Sequence, residues 1–159
     1  MAAAVLMISG SMGAGKTTVL GEASDLLAAS GIEHAAIDLD TLSMGLFSGD
    51  VTVPNLAAVW TNYAALGVTR LLLADAEGDR GRIRQAVPGA EITVCRLRAS
   101  IPTMQQRVRL REPGVRQEEF VERVALLERT IGGEDFSVGN EGRDVTAVAR
   151  EVLVRAGWL

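Results

Sequence analysis

The sequence predicts an α/β fold in which one parallel sheet is covered by helices on both faces. Three observations carry that expectation. Five short apolar runs alternate with six segments of helical periodicity along the 159 residues, which is the alternation that builds βαβ units. The runs are nearly continuous in apolar character, as strands buried on both faces must be. A glycine-rich segment, "GSMGAGKT" from Gly10 to Thr17, stands between the first run and the first helical segment.

Val5 to Ser9 is apolar and ended by Gly10, which predicts a buried first strand. In "TTVLGEASDLLAAS", Val19, Leu20, Ala23, Leu26 and Leu27 fall at helical spacing, and Gly31 supplies the stop. "EHAAIDLD", residues 33–40, predicts the second strand, and residues 41–54 a mixed loop or short helix. Residues 55–67 predict a helix with Leu56, Val59, Trp60 and Tyr63 on one side. A third strand is expected over 68–78, a short helix over 79–89 and a fourth strand over 91–99. The next helix, in 100–114, stops before Pro113, and another over 116–131 spaces Phe120, Val124 and Leu127 for burial. Residues 134–140 predict a brief fifth strand, and Asp144 caps a closing amphipathic helix. No repeat or linker interrupts the chain, so the expectation is one domain over 1–159.

The composition narrows function by exclusion. A net charge of −4 argues against sequence-independent nucleic-acid binding, which needs a basic face to displace counterions. The one cysteine, Cys95, has no internal partner and sits in the apolar run "EITVCRL", which predicts a buried thiol in a reducing compartment. The apolar start lacks a basic leader, and no run approaches the roughly 20 apolar residues of a membrane span. The expectation is therefore a cytoplasmic protein, monomer or homodimer, with neither nucleic acid nor membrane as partner. His34 has no second histidine or cysteine at metal-ligand spacing, and is expected to be structural or exposed.

Of 16 basic residues, only Lys16 is lysine. A compact ammonium in an arginine-biased chain suggests a place where a planar guanidinium would not fit. Gly10 to Thr17 matches G-x-x-x-x-G-K-[ST], between a predicted strand and a predicted helix, the context its mechanism requires. There the backbone amides of Gly10, Ser11, Met12, Gly13, Ala14 and Gly15 would cradle phosphates at a helix N-terminus, continuing into Thr18. Lys16 would reach the β and γ phosphates, and Thr17 would offer its hydroxyl to Mg²⁺. The alternative is a merely flexible turn.

With "GSMGAGKT" and "IDLDTL", the chain resembles the small P-loop kinases of metabolites and antibiotics, such as gluconate, shikimate, adenylylsulfate and chloramphenicol kinases. The likeness in element order covers nearly the whole chain. It implies a P-loop NTPase three-layer sandwich, a five-stranded sheet ordered 2-3-1-4-5, and a short helical lid near residues 107–123. It also implies ATP and Mg²⁺ as cofactors and a small hydroxylated molecule as acceptor.

Asp38 and Asp40, two apart, would share one side of an extended strand at the carboxyl end of the sheet, where open α/β sheets bind ligands. The resemblance implies Asp40 as partner of the acceptor hydroxyl, with Asp38 supporting it or touching Mg²⁺ through water; capping of the next segment is the alternative. Asp75, ending the third strand, is a further magnesium candidate, and Glu77 its competitor. Asn55, Trp60, Asn62 and Tyr63, with Phe47, are candidates for the acceptor pocket, against a plain core role for the aromatics. Arg107 and Arg111 share a helix face and resemble lid arginines that stabilise the transferring phosphoryl group. Arg109, Arg116 and Arg123 lie in the same segment, where interspersed glutamates leave a salt-bridged surface as the alternative. Asn140, Gly142 and Arg143 follow the fifth strand, where the resemblance places the adenine edge. The competing reading of the whole is a nucleotide switch or NTPase without a small-molecule acceptor.

Overall fold

The computed structural model describes residues 2–159. Strands β1 (Ala4–Ser9), β2 (Ala35–Asp38), β3 (Arg70–Ala74), β4 (Glu91–Arg98) and β5 (Phe136–Gly139) form one sheet. Its order is β2-β3-β1-β4-β5, and every pairing is parallel. Helices α1 (Lys16–Ala29), α2 (Thr52–Ala65), α3 (Arg80–Ala86), α4 (Ile101–Arg111), α5 (Gln117–Thr130) and α6 (Val145–Arg155) complete the alternation. No helix among the described residues is long and apolar enough to cross a membrane.

The sheet buries both faces, and its strands alternate their side chains between two cores. Leu6, Ile8, Leu72, Cys95 and Leu97 pack with α1, α4, α5 and α6 on one face. Val5, Met7, Leu71, Leu73 and Val94 pack with α2 and α3 on the other. Cys95 is buried as expected, and desolvation pushes its thiol up to about 12.

Three of the six helices start on a side-chain cap. Asp79 accepts from Gly81 and Arg82 amides to open α3, Ser100 from Thr103 to open α4, and Asp144 from Thr146 and Ala147 to open α6. Helix α2 begins three residues earlier than expected, with Asp50 accepting from the Thr52 amide. Pro54 is tolerated there because it lies in the first turn, where the amide needs no intrahelical partner.

The second strand is shorter than its apolar pattern suggests. It stops at Asp38, and Leu39–Leu42 form a single 3-10 turn. Asp38 itself ends the strand, because its Oδ1 accepts from the Asp40 amide at 3.1 Å. Asp40 is therefore carried by the turn and not by an extended segment.

Candidate active site

The glycine-rich loop joins the carboxyl end of β1, the central strand, to the first turn of α1. Gly13 and Gly15 have φ of +78° and +94°, left-handed backbone that glycine adopts without strain. Four contacts hold the loop. The Ser11 hydroxyl donates to Glu128 at 2.6 Å, and Asn140 Nδ2 donates to the Ala14 carbonyl at 2.7 Å. Arg107 donates to the Gly13 carbonyl at 3.1 Å and to the Asn140 carbonyl at 2.7 Å. Finally, Gly13 lies so close to α4 that a Cβ there would come within 3.0 Å of three Met104 backbone atoms.

Lys16 is half-buried, and its ammonium donates to the carbonyls of Gly10 at 2.8 Å and Ser11 at 3.1 Å. An ammonium has three donors, which leaves one to meet an anion. Desolvation lowers the Lys16 pKa; Asp40, Asp38 and Asp75 pull it back up and Arg111 pushes it down. Asp40 moves the opposite way. Desolvation raises its carboxyl above the usual aspartate value, helped by Asp38 and Asp75 and opposed by Lys16 and Arg111.

Lys16, Asp38, Asp40, Asp75 and Arg111 thus form one electrostatic cluster. Thr17 Oγ1 donates to Asp38 Oδ2 at 2.6 Å, so hydroxyl and carboxylate oxygens meet at the helix start. Among the described residues no three His, Cys, Asp or Glu side chains converge on a metal position. The oxygens of Thr17 and Asp38 nevertheless fit magnesium, which commonly takes one or two protein oxygens and fills its remaining positions with phosphate and water. Asp75 instead accepts from the Gly78 amide at 3.0 Å and shapes the turn after β3.

Two cavities flank the loop. One of about 300 Å³ is lined by Gly13, Gly15, Thr18, Arg107, Arg111 and Asn140. The other, of about 580 Å³, is lined by Met12, Asp40, Ser43, Glu77, Arg116 and Arg123, among others. Met12 and Gly13, adjacent in the chain, face different cavities. Met12 shares the larger cavity with Asp40, and Ser11 turns its side chain inward to Glu128.

Several expected site residues lie elsewhere. Trp60, 9% exposed, is core, and it lines a cavity with Ala2, Ala3, Val68 and Thr69. Those residues precede β1 and β3, so Trp60 stands at the amino end of the sheet, opposite the loop. Asn62 and Tyr63 border a shallow surface hollow with Val59 and Leu66. The helix that carries them forms as its periodicity predicts, but it runs away from the glycine-rich loop. Asn55, nearer its start, donates to the Leu42 carbonyl at 2.7 Å and braces the turn that carries Asp40. Phe47 is exposed. Arg143 donates to Glu151 at 2.7 Å and to the Gly139 carbonyl, outside the residues that line the 300 Å³ cavity. Gly142 takes a positive φ in the turn before α6. His34 is structural, bonded to Ser24 Oγ and the Ile32 carbonyl. Glu128, which meets the loop at Ser11, and Arg96, which bonds to Glu128, had no local sequence signal, because their partners lie far along the chain.

No protein-family model and no curated protein sequence matches the chain. Solved structures do. A gluconokinase from Sinorhizobium meliloti 1021 superposes with TM-score 0.61 at 18% identity, covering 98% of this chain and 91% of that one. The Mycobacterium tuberculosis APS kinase in complex with AMPPNP and APS matches at 0.61 and 16% identity, with 96% of both chains covered. A shikimate kinase from Acinetobacter baumannii in complex with shikimate matches at 0.56 and 17% identity, covering 98% and 94%. The chain has the five-stranded 2-3-1-4-5 parallel fold of these small P-loop kinases.

Proposed function

We propose that the protein transfers the γ-phosphate of ATP to a hydroxyl group of a small molecule. One observation carries the reading: the phosphate loop separates two cavities, with Asp40 on one side and Arg107, Arg111 and Asn140 on the other. A switch or plain NTPase has no need of the second, larger cavity beside a carboxylate of raised pKa. The solved APS kinase holds AMPPNP, and the shikimate kinase holds shikimate, which supports a nucleotide and a small molecule as the two occupants.

In this reading the loop amides and the third Lys16 donor bind the phosphates, and Arg111, beside Lys16 and Asp40, faces the charge that develops during transfer. Asp40 orients the acceptor hydroxyl and takes its proton, a role that suits a carboxyl raised above its ordinary value. Asp38 and Thr17 present oxygens to magnesium, and the ion, when bound, neutralises phosphate charge. Little covalent chemistry is asked of the protein, since positioning and charge stabilisation supply most of the rate in phosphoryl transfer. Arg107, tied to Gly13 and Asn140, acts as a wall of the nucleotide cavity, and the segment after it provides the closing arginines. We further propose that the whole chain acts as one domain.

The test has two stages. Melting temperature is measured with ATP, GTP and their magnesium complexes, and ATP consumption is then followed across a panel of hydroxylated metabolites and antibiotics. A nucleotide-dependent rise in melting temperature, followed by acceptor-stimulated consumption, supports the proposal. Hydrolysis that no acceptor stimulates and that Asp40→Asn leaves unchanged favours the NTPase reading.

A further inference from the structure

We infer that Glu128 is a positioning residue that locks helix α5 to the phosphate loop through a part-buried chain running from Arg96 through Glu128 and Ser11 to Lys16. The inference rests on the nucleotide half of the reading above. One Glu128 carboxylate oxygen accepts from the Ser11 hydroxyl at 2.6 Å, and the other accepts from Arg96 at 2.9 Å. Ser11 is 0% exposed and Arg96 5%. The Ser11 carbonyl then accepts from Lys16 Nζ at 3.1 Å. Arg96 is itself fixed, because it also donates to the carbonyls of Ile131 and Glu128. Strand register brings it beneath the loop, opposite Ser9.

Stability does not account for this arrangement. A buried ion pair contributes little over apolar packing of the same volume. Arg96 Nε is buried and without a hydrogen-bond partner among the described residues, which is a further penalty. The arrangement does supply direction. A carboxylate held by a guanidinium presents its free oxygen in one place, and Ser11, bonded there, keeps its carbonyl against Lys16. The same helix carries Phe120, Arg123 and Leu127 into the 580 Å³ cavity. Glu128 therefore links the wall of one cavity to the loop that borders the other.

The experiment measures calorimetric affinity for a magnesium complex of a non-hydrolysable ATP analogue in the parent, Ser11→Ala and Glu128→Gln proteins. Amide hydrogen exchange of residues 117–130 is followed with and without the analogue. Ser11→Ala leaves the Arg96–Glu128 pair intact and removes one hydrogen bond to a charged acceptor, so it should weaken the analogue by about tenfold. Glu128→Gln keeps an amide oxygen for Ser11 but loses the ion pair, and should fall between the other two. In the parent the analogue should slow exchange along α5, and in Ser11→Ala that slowing should be lost. Parent-like affinity and parent-like slowing in Ser11→Ala would overturn the inference. Should Ser11→Ala fold poorly, parent-like affinity and slowing in Glu128→Gln would overturn it equally. A parent that binds no nucleotide would instead defeat the functional reading, and this inference with it.

Discussion

Gly13→Ala tests how the loop is built. Its φ of +78° is left-handed backbone, and an added Cβ would come within 3.0 Å of the Met104 Cα, C and O atoms. Two penalties follow. A side chain in left-handed backbone costs about 1–2 kcal/mol. Forcing apart a close-packed contact costs about 1–3 kcal/mol more. Gly31 separates the two, because its φ is +68° but a Cβ there meets nothing within 4 Å. Gly31→Ala should show the first penalty alone, and Gly13→Ala both. With about 2–4 °C of melting temperature per kcal/mol for a domain of this size, a difference near 2 kcal/mol places Gly13→Ala roughly 6 °C below Gly31→Ala. Scanning calorimetry of the three proteins in one buffer reads this directly. Indistinguishable melting temperatures for the two variants would refute the close packing of the loop on α4.

Asp40→Asn should lower acceptor-stimulated turnover by about 10²–10⁴-fold, the range for loss of a general base, with nucleotide affinity measured alongside. Because the Asp40 carboxyl is raised, turnover in the parent should fall on acidification at a pH above the ordinary aspartate value of 3.8. The stability sign is opposite: ionising a raised carboxyl disfavours the folded state as pH climbs from 3.8 through the raised value. Asp40→Asn should therefore melt no lower than the parent at neutral pH, and a clear drop would contradict that sign. Lys16→Ala should weaken ATP by about 10–100-fold in titration calorimetry, as expected for a lost charge-assisted contact. Arg107→Ala removes two bonds to backbone carbonyls and should cost about 1–3 kcal/mol in urea unfolding. Arg143→Ala, which breaks a partly exposed ion pair, should leave nucleotide affinity unchanged.

The elements were legible in the sequence because each carries its own local signal. Apolar runs marked the strands, and Asp144 and the glycine stops marked helix ends. The loop was legible for the same reason, since its spacing is contiguous. For Asp38 the sequence leaves ligand contact and capping open: a carboxylate two residues before an amide can end a strand by accepting from it, and the apolar pattern of "AAIDLD" runs on regardless. Trp60, Asn62 and Tyr63 show a different limit. Periodicity assigns a residue to a face of a helix but not to an end of the sheet, and α2 runs from the turn bearing Asp40 toward the amino ends of the strands. Glu128 and Arg96 were invisible because the Ser11 contact spans 117 positions. Only the sheet register, with Arg96 opposite Ser9, brings them under the loop.

The tethering of the loop also bears on kinetics. Ser11, Gly13 and Ala14 are each tied to a different element, α5, α4 and the turn after β5. A cradle held this way has little conformational freedom left to surrender when an anion arrives. Nucleotide capture should then follow a single bimolecular phase, its observed rate rising linearly with nucleotide concentration and showing no plateau from a preceding rearrangement. Any slower step in a turnover would come from the arginine-bearing segment beyond Arg107 or from product departure, not from assembly of the phosphate site.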